Sequence, residues 1–246
     1  MAKKESFDPE DREFLFSRTA LDEFVECPRC FHFSRRLGHA RPGGGMSGLP
    51  GAVEKLMRQE LDGYRARHEQ HPVMVGLPGD LVPFDHPSLG DWRKSKPGIR
   101  LAHAGSGFLL SGAPDDVWYS RETEELHIVD YKTTSSDDGA TLDTDWAPKY
   151  MRQVSFYQYL LSGIGHPASR VAYFLFAKAD KEADAYGGIV RFDSIVRPYE
   201  VDTSWIEEAL LGARACLEAD APPAPTEGCK WCAWAAAVTT GDGGAA

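Results

Sequence analysis

The sequence predicts an α/β fold with a central mixed β-sheet flanked by helices, and three observations carry that expectation. Phe108–Leu110, Val117–Tyr119 and Leu126–Val129 are short apolar runs of strand length, rich in aromatic and branched residues. Apolar residues at helical spacing both precede and follow this group. Beyond the second helical stretch, Arg170–Phe176 reads as a further, buried strand. An order of helix, strands, helix, strand is that of a layered fold in which helices cover a mixed sheet.

Taken in order, residues 1–16 read as a polar, partly disordered lead. Ser17 can cap a helix that carries Leu21, Phe24 and Val25 on one face before Cys27-Pro28. Arg41-Pro42-Gly43-Gly44-Gly45 reads as a flexible break. Val53, Leu56, Met57 and Leu61 then mark a second amphipathic helix running to about Arg67. His71–Gly105, rich in Pro, Gly and Asp, reads as loops with short extended pieces. The polar stretch Ser120–Glu125 suits the turn of a hairpin.

Met151, Val154, Tyr157 or Gln158, and Leu161 recur at helical intervals between about Lys149 and Leu161. Ile189–Val201 reads as one or two strands, and Trp205–Leu217 as a last amphipathic helix. Ala221-Pro222-Pro223-Ala224-Pro225 links to Gly228-Cys229-Lys230-Trp231-Cys232, and Gly241–Ala246 is low in complexity. The expected organisation is a flexible lead at 1–16, one domain at 17–234 and a disordered tail at 235–246. No internal repeat is visible.

Composition is that of a soluble globular protein, 42% hydrophobic and 26% charged. No apolar run approaches the roughly 18 residues of a membrane span. Met1-Ala2-Lys3-Lys4-Glu5 lacks the apolar stretch of a secretion signal, so the expected location is the cytoplasm. A net charge of −10 argues at first against a nucleic-acid partner. What matters locally is where the cations sit, and three basic clusters are permissive of one. They are Arg35, Arg36, His39 and Arg41; Arg93, Lys94, Lys96 and Arg100; and Lys149 with Arg152.

The most informative segments are Gly112-Ala113-Pro114-Asp115 and Ile128-Val129-Asp130-Tyr131-Lys132. An apolar strand ending in a charged triplet is costly unless the charges are paired or hold a cation. Strand alternation puts Asp130 and Lys132 on the same face, and hairpin pairing can bring Asp115 beside Asp130. Two converging carboxylates repel each other, and a divalent cation relieves the repulsion. Magnesium favours such hard oxygen ligands; it activates water and stabilises charge on a phosphodiester oxygen. Lys132 can orient or deprotonate that water, and the backbone carbonyl of Tyr131 offers a further ligand. Alone, an Asp-x-Lys is equally a surface ion pair.

With these residues in view, the chain resembles the PD-(D/E)XK nuclease superfamily, and within it the RecB-like branch. Asp115 matches the family's first acid, Asp130 the second and Lys132 its lysine, the two acids lying fifteen positions apart. Gln153 and Tyr157 match a Gln-x-x-x-Tyr on the following helix, where residues four apart share a face. The Ser17–Arg36 segment, with its Cys-Pro followed by aromatic and basic residues, is also similar to this branch. Where the branch often places a histidine ligand on the helix before the strands, this chain offers Glu54, with Glu60 as a rival on the same helix.

The resemblance implies a restriction-endonuclease-like core, a magnesium or manganese ion at Asp115, Asp130, Tyr131 and Glu54, and hydrolysis of DNA phosphodiester bonds. Catalytic roles pass to Asp115, Asp130, Lys132, Gln153 and Tyr157. Strandedness, sequence specificity and exo- or endonucleolytic action stay open. The alternatives are an inactive module of the same fold that binds nucleic acid or a protein partner, and a metal-clamped interaction protein without a nucleic-acid role.

Two Cys-x-x-Cys pairs remain, Cys27 with Cys30 and Cys229 with Cys232. Each can grip one metal with two thiolates, and if the chain ends meet, all four form a closed site for zinc or an iron–sulfur cluster. Several RecB-like nucleases clamp their ends with a four-iron cluster through one early and three late cysteines; the two-plus-two arrangement here departs from that pattern. The alternative is that these thiols are simply buried. Cys216 is expected to pack, as are Trp118, Tyr131, Tyr159, Phe174 and Phe176; Trp231 and Trp234 are open between packing and binding.

Overall fold

The computed structural model describes residue 7 and residues 14–39, 41, 48–136, 138 and 140–240. In chain order the elements are β1 (Leu15–Ser17), α1 (Arg18–Glu26), α2 (Pro28–Arg35), α3 (Gly48–Arg67), β2 (Leu81–Pro83), α4 (Leu89–Trp92), β3 (Ile99–His103), β4 (Phe108–Gly112), β5 (Asp116–Ser120) and β6 (Leu126–Thr134). They continue with α5 (Ala147–Gly163), β7 (Val171–Ala179), β8 (Phe192–Glu200), α6 (Ile206–Glu218) and α7 (Lys230–Thr240). The result is a mixed α/β architecture, as the sequence predicts. Among the described residues no helix is long and apolar enough to cross a membrane.

The chain divides into two compact units where the sequence reads as one domain. The first gathers residues 1–45, 102–110 and 204–246; the second comprises 46–101 and 111–203. The first unit is built from segments remote in sequence and the second is interrupted by residues 102–110, so composition along the chain does not mark their borders.

In the first unit, Ser17 caps α1 as expected, its Oγ accepting the Ala20 N–H at 3.3 Å. Cys27 is extended and ends α1, and Pro28 at the first turn starts α2 at once. Phe16 stacks on Phe108 with ring centroids 4.4 Å apart, and Phe31 meets Phe16 edge-on. The expected polar lead is corrected here. Leu15–Ser17 forms a strand, the Leu109 N–H donates to the Phe14 carbonyl, and Phe7 and Phe14 are buried against each other. Their apolar rings gain more from burial than from solvent. The rest of the lead, residues 1–6 and 8–13, lies outside the described residues, as does most of the Arg41–Gly45 break. The expected tail is corrected likewise: α7 carries helix through to Thr240, since an alanine-rich run is a strong helix former. Residues 241–246 lie outside the described residues.

The second unit is a five-stranded sheet in the order β2-β5-β6-β7-β8. β5 and β6 form the expected antiparallel hairpin, with Asp116 opposite Val129 and Val117 opposite Ile128. β6 and β7 run parallel, so the chain must cross over between them, and α5 is that crossover. β2 and β8 pair antiparallel with β5 and β7. In the stretch expected to be loops with short extended pieces, β2 and β3 are those pieces, and the short α4 is an addition.

Alternation along the strands gives this sheet two distinct faces. Trp118, Val129, Tyr131, Tyr173 and Leu175 join Leu61, Met74 and Leu81 in one apolar cluster, which places α3 on that face. Asp130 and Lys132 point the other way, beside Phe174 and Phe176 of β7 and toward α5. Gly112, the glycine of the Gly-x-x-Asp segment, lies under α5. A Cβ there would stand 2.7 Å from Leu160 Cδ1 and 2.8 Å from Tyr157 Cδ1, so only glycine lets the helix come this close.

Candidate metal and catalytic site

Asp115 sits one step before β5. Extending the β5–β6 register by that step sets it opposite Asp130, and its Oδ2 accepts the Tyr131 N–H at 2.8 Å. The hairpin thus supplies both acids from adjoining strands. Asp130 is fully buried: its Oδ1 accepts the Gln153 side-chain amide at 2.7 Å and its Oδ2 pairs with the Lys132 ammonium. Lys132 Nζ also lies 4.4 Å from the centre of the Tyr150 ring on α5. Gln153 Nε2 is 3.4 Å from the Tyr157 hydroxyl, so Tyr157 meets the site through Gln153.

α3 contributes Glu54 and a residue the sequence reading missed, Arg58. Arg58 Nη2 donates to Glu54 Oε1 at 2.8 Å and lies 3.8 Å from Asp115 Oδ1. The Glu54 charge acts on the Asp115 carboxyl, whereas the rival Glu60 is exposed and faces His71 at 3.1 Å. Six positions on a helix turn a side chain well away from the first, so the two acids serve different surfaces.

Burial first, and then the charges of Asp130 and Glu54, hold the Asp115 carboxyl well above the usual carboxylate range, against the opposing pull of Lys132 and the Tyr131 N–H. Asp115 and Asp130 stand on adjoining strands with their charges opposed, and the Glu54 charge also reaches Asp115. Carboxylates set against one another in this way are hard-oxygen donors of the kind a divalent cation takes.

The opposite face of the same strand end holds a second network the sequence reading missed. Asp116 is fully buried, accepting from Arg65 and, at 2.8 Å, from the Tyr131 hydroxyl. Arg65 and Arg93 both reach Asp62, and Arg93 lies 3.8 Å from Asp116. Tyr131 is therefore held at both ends: its amide binds Asp115 and its hydroxyl binds Asp116. Burial and then the Asp116 charge push its phenol well above the ordinary range. The signal available in sequence was the Asp115-Asp116 pair, whose members must face opposite sides of a strand.

Several cations of the first two basic clusters are committed to internal partners. Arg35 pairs with Glu23 and Arg41 with Glu26, while Arg36 donates to the Phe7 carbonyl. Arg93 belongs to the Asp116 network, and Lys94 pairs with Asp91.

In the first unit, Cys27, Cys30, Cys229 and Cys232 converge, all four sulfurs lying within 4.8 Å of one another. The sulfur of Cys27 is 3.7 Å from that of Cys232, and Cys30 is 3.7 Å from Cys229 and 3.5 Å from Cys232. All are free thiols, and such separations are far beyond a disulfide bond. Burial works to raise the Cys27 thiol, but hydrogen bonds from the Thr226 and Cys30 backbone, the Thr226 hydroxyl and Cys229 prevail and bring it to about 6. Cys216 stands apart as a packing residue, raised by burial to about 11.

No protein of curated function matches the chain. The family model described as the PD-(D/E)XK nuclease superfamily matches residues 45–237, which include the whole carboxylate–lysine site and the second cysteine pair. With that match over most of its length, and with the mixed sheet of a restriction-endonuclease-like fold, the chain belongs to the PD-(D/E)XK nuclease superfamily.

Proposed function

We propose that this chain is a magnesium- or manganese-dependent deoxyribonuclease of the RecB-like branch, acting in the cytoplasm. The observation that carries the reading is the meeting of Asp115, Asp130, Lys132 and Gln153 at one strand end, with Glu54 close enough to act on Asp115. In this reading Glu54, Asp115, Asp130 and the Tyr131 carbonyl hold the ion. When bound, the ion lowers the pKa of water and stabilises negative charge on the phosphodiester.

The chain's own side chains do the rest. Lys132 orients the attacking water and neutralises charge on the phosphate. Gln153, backed by Tyr157, fixes the Asp130 carboxylate. Arg58 keeps Glu54 beside Asp115. These are preorganised charges in a partly buried site, where electrostatic stabilisation is strong.

For the cysteines, resemblance points to an iron–sulfur cluster, but the close spacing supports reading them as holders of a single tetrahedral ion such as zinc. With Zn–S bonds of about 2.3 Å, tetrahedral sulfurs stand about 3.8 Å apart; three of the six separations here are 3.5–3.7 Å and all lie within 4.8 Å. Thiolates bound to four separate irons must open wider. Such an ion would be structural, holding both chain ends in the first unit.

A second reading, an inactive module that binds nucleic acid or a protein partner, draws on one observation. Lys132 and Arg58 already offset the acidic charges without any ion. Incubation of the full chain with labelled single- and double-stranded DNA, with and without magnesium, separates the two. Metal-dependent cleavage is expected; salt-sensitive binding without turnover in magnesium or manganese supports the second reading.

A further inference from the structure

The catalytic site continues into a cleft of about 400 Å³, lined among others by Lys132, Thr134, Ser136, Thr144, Trp146 and Tyr150. Trp146 is the unusual member. It is 67% exposed and occupies the cap position of α5, yet its side chain caps nothing. Ser, Thr, Asp or Asn would stabilise the helix there, and an indole left in water contributes neither a cap nor core packing. Residues that break local rules in this way concentrate at functional positions.

We propose that this cleft receives one unpaired nucleotide of the substrate strand, its base stacked on Trp146 and its phosphate directed to Lys132. The volume lies at the small end of ligand pockets, enough for one nucleotide and too little for a duplex. Base pairs within a duplex have both faces covered by their neighbours, so only an unstacked base offers a face to an indole. The hydroxyls of Thr134, Ser136 and Thr144 give the sugar and phosphate oxygens donors, and Lys132 supplies the cation. Asp145, the one acid among the described lining residues, can accept from a base amino group or a sugar hydroxyl. Trp146 thereby becomes a determinant of strandedness. The assignment of Lys132 to a phosphate rests on the nuclease reading; the stacking role of Trp146 does not.

The test is binding, read by fluorescence anisotropy in magnesium-free buffer so that no strand is cut. The full chain, Trp146→Ala and Trp146→Phe are each titrated against a short dye-labelled single strand and against the same sequence as a blunt duplex. The exposure of Trp146 means that neither variant threatens the fold. The wild-type chain is expected to prefer the single strand, Trp146→Ala to lose about tenfold on it and little on the duplex, and Trp146→Phe to retain most of the affinity. Unchanged single-strand affinity in Trp146→Ala, or an equal loss on the duplex, overturns the proposal. Trp146-dependent binding by a chain that never cleaves in magnesium leaves this inference standing and removes the nuclease reading. Cleavage without any Trp146 dependence of binding does the reverse.

Discussion

Gln153 of α5 donates its side-chain amide to Asp130 Oδ1 at 2.7 Å, tying the crossover helix to the strand that bears the buried acid. That bond leaves the other carboxylate oxygen to Lys132. In the proposed metal site, a group that orients a ligand in this way is expected to change affinity or activity by about 10–100-fold when removed. Gln153→Ala is therefore expected to cut the rate by roughly that factor and to raise the magnesium requirement, with circular dichroism unchanged. A magnesium titration of kcat/KM checks both effects, and an unaltered profile would show that the bond is incidental.

Asp116 is expected to matter for stability. Truncating it leaves Arg65 and the Tyr131 hydroxyl facing a buried vacancy. Removal of one partner from a buried ion pair costs about 3–5 kcal/mol, and Asp116→Ala should show a loss of that order in urea unfolding. Asp62, whose side chain is 41% exposed, serves as the control and should cost far less. Equal losses at the two positions would mean that burial of the network is not what stabilises it.

The sign of the Asp115 effect follows from its raised pKa. A carboxyl raised in the folded state contributes stability below its unfolded pKa and loses it as pH rises through the folded value. Without metal, the folded protein therefore loses stability as pH rises above the ordinary carboxylate range. Asp115→Asn, which can still accept the Tyr131 N–H, is expected to be more stable than wild type by about 1 kcal/mol in metal-free buffer. The difference should vanish in acid. Thermal melts across pH without divalent ions measure it, and a destabilised Asn variant at neutral pH would contradict the assignment.

How much of this was legible in the sequence follows from how local each signal is. The β5–β6 hairpin and the helical period of α5 are short-range patterns, and so is the Asp130–Lys132 spacing; each appeared where expected. The Asp116 network did not, because Arg65 lies 51 positions away and no local pattern joins the two. β1 was hidden for a related reason. Three residues carry too little periodicity, and their pairing to β4 is a long-range event. Glu54 was separable from Glu60 only once α3 had a fixed orientation against the sheet. The meeting of the two cysteine pairs needed both chain ends in one unit, which spacing alone can suggest but not position.

For the cysteine site, protein purified without added metal is expected to carry about one zinc per chain and to be colourless. Cys232→Ser should lose the metal and lower the melting temperature, because a structural ion adds its binding free energy to folding. A brown protein with broad visible absorption and iron in place of zinc would contradict the single-ion reading.

The central claim is that Glu54, Asp115 and Asp130 form one cation site, and manganese titration tests it most directly. Manganese favours oxygen ligands over thiolates, so the cysteine site does not compete for it. Calorimetry of the wild-type chain should show manganese binding that is abolished in an Asp115→Asn, Asp130→Asn double variant and weakened in Glu54→Gln. Binding that survives the double variant unchanged would place the ion elsewhere and end the account.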